Sequence, residues 1–205
     1  MCVIFSRMQT MKIIKSFLFV ILLLPLGLLF VKGYGDDLSA EPVEYVLHFT
    51  GIWSLRMLLL TLMMTPLRDL TKQVVFLRIR RMLGLFAFFY VSLHLVIYVW
   101  LDLGLNFAHL WEDIIKRPYI TVGFAAWLML VPMAVTSNKK MIRKLGKHWK
   151  TLHKSIYIII ILACLHFIWL VKKDLDEPLI YAAIAFVLLF YRVFNYSMSS
   201  KGTST

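Results

Sequence analysis

Two cysteines among 205 residues, Cys2 at the N-terminus and Cys164 inside an apolar run, cannot build a disulfide framework. Charge is scarce as well: Asp, Glu, Lys and Arg make up 17% of the chain, against about 25% in a soluble domain. Hydrophobic residues supply 60% and mean hydropathy is +0.78. One globular core cannot bury that excess, so an ordinary soluble enzyme and a disordered chain are both excluded, and lipid is the implied solvent. No G-x-G-x-x-G or P-loop occurs, so no nucleotide-binding domain is encoded. At about 20 apolar residues per span, the length leaves room for at most roughly seven helices and none for a soluble catalytic domain.

What is present is a set of continuously apolar runs without strand-like alternation. They predict an all-α, polytopic six-helix transmembrane bundle, with spans at about 13–31, 45–66, 82–101, 119–137, 155–171 and 178–194. Residues 1–12 and 195–205 then flank a 13–194 membrane domain. Of 23 Lys and Arg, 17 fall on one side: the N-terminus, 67–81, 138–154 and the C-terminus. Five fall on the other, and Arg56 lies within a span. Ten of the 11 acidic residues lie opposite the basic side, Asp69 being the exception. The positive-inside rule makes the basic side cytoplasmic, with both termini there. This sorting accounts for the net charge of +12 without nucleic-acid binding. The first run has a basic n-region (Arg7, Lys12, Lys15) and a small-residue site at Leu38-Ser39-Ala40. Its apolar stretch exceeds a signal peptide's roughly 7–15 residues, so it reads as an uncleaved anchor.

Ionisable residues inside spans are costly and mark function. His94 lies seven residues before Leu101, about 10 Å below the external face, and His166 five before Val171, about 7–8 Å below it. Two neutral imidazoles at one depth suit the axial positions of a haem. The alternative for each is a structural histidine bonded to a neighbouring helix. His153 stands about 20 Å from His166 along the helix and about 140° around it. A second two-histidine site would need a partner near the start of the third span, where Arg80 and Arg81 stand. Three roles are open to His153: a ligand, a contact to a propionate, or a solvated interfacial side chain.

His48 opens the second span in His48-Phe49-Thr50-Gly51, and Arg56 lies eight residues deeper. A mid-membrane arginine needs a partner such as a haem propionate, a flavin phosphate or a quinone carbonyl; snorkelling or helix carbonyls are the alternative. His109 and His148 fall in predicted loops. Arg80-Arg81-Met82-Leu83-Gly84 before the His94 helix and Arg143-Lys144-Leu145-Gly146 before the His166 helix form a weak echo. Its glycines allow close approach, and two basic flanks with a chance Leu-Gly explain it equally.

The order Arg81-x-Leu83-Gly84, His94, Arg143-Lys144-Leu145-Gly146-Lys147-His148-Trp149-x-x-Leu152-His153 and His166 resembles the ferric-reductase-like transmembrane domain. Within it, the chain is most similar to the MsrQ (YedZ) family. That resemblance covers nearly the whole chain, including Thr65-Pro66-Leu67 and Lys116-Arg117-Pro118-Tyr119. It implies a haem-binding subunit in the bacterial inner membrane. Such a subunit passes electrons from the respiratory quinone pool to a periplasmic molybdenum-containing subunit that reduces oxidised methionines, the two forming a heterodimer. Haem b and FMN are the implied cofactors, with His94, His153 and His166 matching the family's haem ligands and no residues assigned to FMN. The chain lacks the FAD/NADPH domain of the larger ferric reductases and the second histidine on the third span. A small transporter or channel with Arg56, His94 and His166 along a polar path is the competing reading, and a structural membrane anchor a third.

Overall fold

The computed structural model describes residues 2–35, 37–171 and 173–201, with side chains from 9 to 195 within those bounds. Lys172, the side chains of Cys2 and Arg7, and the tail side chains beyond Asn195 lie outside the described residues. Nine α-helices are present among them: α1 Cys2–Tyr34, α2 Pro42–Thr71, α3 Val75–Ile97, α4 Phe107–Lys116, α5 Pro118–Val135, α6 Lys139–Leu145, α7 Lys147–His153, α8 Ile156–Leu170 and α9 Asp176–Lys201. No strand occurs among the described residues. Six segments are long and apolar enough to cross a membrane, as expected, with α7 and α8 counting as one.

The helices overrun the expected spans at the basic end. α1 runs back to Cys2 and α9 on to Lys201, so the described parts of 1–12 and 195–205 continue the helices of the first and last spans. Basic residues end a hydrophobic run, but they do not end a helix, because Lys and Arg are good helix formers. Prolines 42 and 118 sit in the first turns of α2 and α5, where a missing N–H costs nothing. α2 stops at Lys72, which takes the left-handed conformation with φ 58°.

Two loops of the sequence reading are helical. Asn106 caps α4 by accepting from the Ala108 and His109 amides, and Asn138 caps α6 by accepting from Met141. His109 and His148 therefore sit on α4 and α7, exposed, rather than in loops. Gly146 separates α6 from α7 with φ 50°, a conformation that favours glycine. A Cβ there would meet nothing within 4 Å, and one at Gly84 would meet Thr61 at an ordinary 3.7 Å. The Leu-Gly echo is thus not a pair of close approaches.

The core lies where α2, α3, α5 and α8 meet, around fully buried Met57, Ala87, Tyr90, Ile159 and Ile160. α1 packs on its edge: Tyr90 Oη donates to the Leu22 carbonyl at 2.7 Å, and Phe19 meets Phe86 edge-on. α9 is fastened to α2 by polar contacts along its length. His48 meets Glu177 at 3.4 Å, Arg56 Nε donates to Tyr181 Oη at 2.8 Å, and Tyr191 Oη donates to Asp69 at 3.2 Å. Such bonds take the place of hydrophobic pressure, which lipid does not supply between helices.

Candidate functional site

α3 and α8 bring His94 and His166 together, with ring centres 6.4 Å apart and planes at 83°. Each ring is held from behind by a different helix. His94 Nδ1 lies 3.0 Å from the Leu47 carbonyl of α2 and 3.3 Å from Thr50 Oγ1. His166 Nδ1 lies 2.7 Å from the Tyr119 carbonyl of α5. A carbonyl oxygen can only accept, so each Nδ1 carries a proton, and in the neutral ring Nε2 presents a lone pair. That is the tautomer of a metal-ligating histidine anchored by its other nitrogen.

Glycines make the anchoring possible. A Cβ at Gly51 would stand 3.3 Å from His94 Cε1, and one at Gly123 only 2.7 Å from His166 Nδ1. In both cases the glycine lies four residues after the accepting carbonyl, on the same helix face. Leu47, Gly51 and His94 thus recur, 72 residues later, as Tyr119, Gly123 and His166. The α2–α3 and α5–α8 pairs share this spacing, and each contributes one imidazole. The sequence reading quoted Gly51 only within a motif and missed Gly123 altogether. The available signal was a glycine 43 residues before each deep histidine.

Both rings line a cavity of about 670 Å³, within the usual range of roughly 300–1,000 Å³ for small-molecule sites. Its inner walls are apolar, including Leu55, Leu58, Val91 and Phe124; its rim carries Glu44, His48, Asp102, Arg117 and Asp174. At the rim, Asp113 accepts from Tyr98 Oη at 2.5 Å and pairs with Arg117 at 3.0 Å, tying α4 to the mouth. A π-helical turn, Tyr98–Asp102, ends α3 there. The arrangement brings two imidazoles, one from α3 and one from α8, to the lining of one cavity, as a pair that could hold one metal. No group of three or more His, Cys, Asp or Glu side chains suited to a metal occurs among the described residues, so a zinc-type site is not formed.

Of the other expected residues, His48 lines the same cavity as the two rings, at its rim, where it meets Glu177. Arg56 lines neither this cavity nor the second one. Its Nε donates to Tyr181 Oη and its guanidinium lies 5.0 Å over the Trp53 ring, so a phenol and an aromatic face are its partners in this structure. The polar path of a transporter through Arg56, His94 and His166 is therefore not formed. His153 lines a separate cavity at the basic end. It stacks on Trp149 at 3.9 Å, its Nδ1 lies 3.1 Å from the Trp149 carbonyl, and its Nε2 lies 3.4 Å from Ser137 Oγ. No second histidine faces it there.

The profile of the ferric reductase like transmembrane component matches residues 50–164. Among curated relatives, the protein-methionine-sulfoxide reductase heme-binding subunit MsrQ of Xanthomonas campestris pv. campestris (strain 8004) is 53% identical over 169 residues, 82% of this chain and 78% of its own. The subunit of the same name from Bordetella pertussis is 50% identical over 182 residues, 88% of each chain. No solved structure matches the chain. The matched stretch runs from α2 into α8 and takes in the glycine anchors and His94, and the chain belongs to the ferric-reductase-like transmembrane family, in its MsrQ branch.

Proposed function

We propose that this chain is the haem-b-carrying, electron-transferring membrane subunit of a protein-methionine-sulfoxide reductase, with His94 and His166 as the axial ligands. The observation that carries this reading is the pair of imidazoles 6.4 Å apart, each with Nδ1 committed to a backbone carbonyl. Two imidazoles from neighbouring helices in an apolar cavity are the donor set that would hold a haem. The donor set and the apolar walls therefore fit a haem. A haem held there supplies one-electron redox chemistry. The residues of this chain do the rest. The Leu47 and Tyr119 carbonyls fix tautomer and ring orientation and raise ligand basicity. Leu55, Leu58, Val91 and Phe124 keep the interior dry. The rim of Glu44, Asp102, Arg117 and Asp174 offers a charged surface to a partner.

In this reading electrons enter from the quinone pool and leave at the rim toward a periplasmic molybdenum-containing subunit, where sulfoxide reduction takes place. The chain sits in the bacterial inner membrane with 13–194 as its membrane domain and both termini cytoplasmic, a topology supported by the charge partition. FMN, implied by the resemblance, is retained as a second cofactor with no residues assigned. His153 keeps its three possible roles, with Trp149 and Ser137 as its present partners. The deciding experiment is visible spectroscopy of the purified chain, with pyridine-haemochrome analysis and reduction by a quinol. A reducible b-type Soret band that reoxidises when the partner reductase and a methionine sulfoxide substrate are added supports the reading. A colourless protein in membranes supplied with haem overturns it.

A further inference from the structure

α4 spans 10 residues, and its side chains fall into three groups around the helix. Leu110, Asp113 and Ile114 are its partly buried residues and point toward the bundle. Leu110 lines the histidine cavity, Asp113 holds Tyr98 and Arg117, and the Ile114 carbonyl accepts from Thr121 Oγ1. His109, Glu112 and Lys116 form a polar group about 120° around the helix, with Lys116 paired to Glu112 at 2.5 Å in the open. Phe107, Trp111 and Ile115 form the third group, roughly a further 130° round. They are exposed by 68%, 65% and 66%.

With protein on one side and a polar surface on the second, three large apolar side chains on the third call for an apolar surrounding. The chain fixes where that side lies. The π-helical turn ending α3 stops at Asp102 and α5 begins at Pro118, so residues 103–106 and Arg117 alone join α4 to two spans. Gly104 and Leu105 take left-handed φ of 56° and 63°, which turns the chain out of α3, and Asn106 then caps α4. Both ends of a helix about 15 Å long are therefore tied to the ends of spans, and α4 stays at the membrane surface. Its apolar side continues that of the spans, because Trp100, Leu101 and Leu105 are exposed just before it. Aromatic side chains at the ends of spans sit at the lipid–water boundary. A soluble partner would leave Phe107, Trp111 and Ile115 in water whenever it departed, whereas lipid is always there.

We propose that α4 lies in the bilayer interface beside the cavity mouth, with Phe107, Trp111 and Ile115 inserted between the headgroups and acyl chains of the leaflet and His109, Glu112 and Lys116 toward water. Interfacial helices bury their apolar side about 5–10 Å into that boundary. Leu110 and Asp113 sit on the same helix, so the inserted side chains hold one wall of the cavity mouth against the bundle. The arrangement does not depend on what fills the cavity and stands apart from the haem reading.

The test uses the full chain with its cofactors in phosphatidylcholine nanodiscs, without a partner protein. Single spin labels are introduced through Phe107→Cys, Trp111→Cys and Ile115→Cys, and through His109→Cys, Glu112→Cys and Lys116→Cys, in a Cys2→Ser/Cys164→Ala background. Power saturation compares dissolved oxygen, which partitions into lipid, with a water-soluble nickel chelate. The oxygen-to-nickel accessibility ratio is expected to be about tenfold higher for the first three positions than for the second three. Equal ratios overturn the proposal. Shielding of the first three from both reagents places a second copy of the chain on that side and overturns it too. So does nickel access that is lost only when the partner reductase is added. A second measurement needs no label: hydrogen exchange of the amides of 107–116. Phe107→Ser/Trp111→Ser should speed that exchange about tenfold, and Phe107→Leu/Trp111→Leu, which keeps the apolar contact, should stay within about twofold of the native chain. Unchanged exchange in the serine pair overturns the role of lipid contact in holding the wall.

Discussion

The His166 ring lies against α5 only because residue 123 has no side chain: a Cβ there would stand 2.7 Å from His166 Nδ1 and 3.0 Å from Cε1. The same ring bonds the Tyr119 carbonyl one turn earlier, so contact and hydrogen bond come from one face of one helix. His94 repeats the arrangement on Gly51 and Leu47 with a looser fit of 3.3 Å.

A graded glycine series follows from those distances. Gly123→Ala should displace the His166 ring and lower haem retention by about 10–100-fold, the usual cost of losing a metal ligand's supporting partner. Gly51→Ala should cost less, because its neighbour must give by only a few tenths of an ångström. Gly84→Ala, with its nearest atom at 3.7 Å, should be silent. Haem-to-protein ratio for the three variants measures the order. A silent Gly123→Ala would mean that the ring is not held where the structure has it.

The three histidines should separate. His94→Ala and His166→Ala should each abolish the low-spin b-type signal, since each removes one imidazole of the pair. His153 lies in the other cavity and should spare that signal. If His153→Ala lowers the haem-to-protein ratio, it serves a second haem; if the ratio is unchanged, it is interfacial. Low-spin EPR beside pyridine-haemochrome stoichiometry reads all three. A normal low-spin spectrum in His94→Ala or His166→Ala refutes the ligand pair.

Arg56 should matter for helix packing and not for the cofactor. Arg56→Leu and Tyr181→Phe remove the same α2–α9 bond, so each should destabilise the bundle by about 0.6–1.7 kcal/mol. Their effects should not add in a double-mutant cycle, because they share one interaction. Thermal unfolding and the Soret band together decide the matter. Loss of haem in Arg56→Leu at unchanged stability would restore a cofactor role.

Reporter fusions test the orientation. Fusions after Ser137 and after α9 should report the cytoplasm, and one within 102–117 the outside, as the 17-to-5 partition of Lys and Arg requires. The reverse pattern would invert the proposed direction of electron flow.

Six spans and the two deep histidines are legible along the chain because each is a local property, and the expected orientation rests on local properties too. Hydropathy is read residue by residue, charge sorting loop by loop, and depth follows from a fixed rise of about 1.5 Å per residue. That arithmetic placed His94 and His166 at one height, but it is blind to which helices neighbour each other. The azimuth of a side chain, and therefore its partner, depends on how the helices pack. Arg56 illustrates the limit. The sequence states that a buried guanidinium needs a partner; packing alone supplies Tyr181 and Trp53.

The sequence by itself determined that this protein is a membrane bundle, which way its charges point, and that two imidazoles share a depth, because lipid and positive-inside sorting act on composition and order along the chain. Only the tertiary structure decided which carbonyls fix those imidazoles, that Gly51 and Gly123 must be bare, and that Arg56 turns to Tyr181 and Trp53. The glycine and carbonyl anchors and the Arg56–Tyr181 bond join residues 43 to 125 positions apart, and their geometry exists only once α2, α3, α5, α8 and α9 have packed.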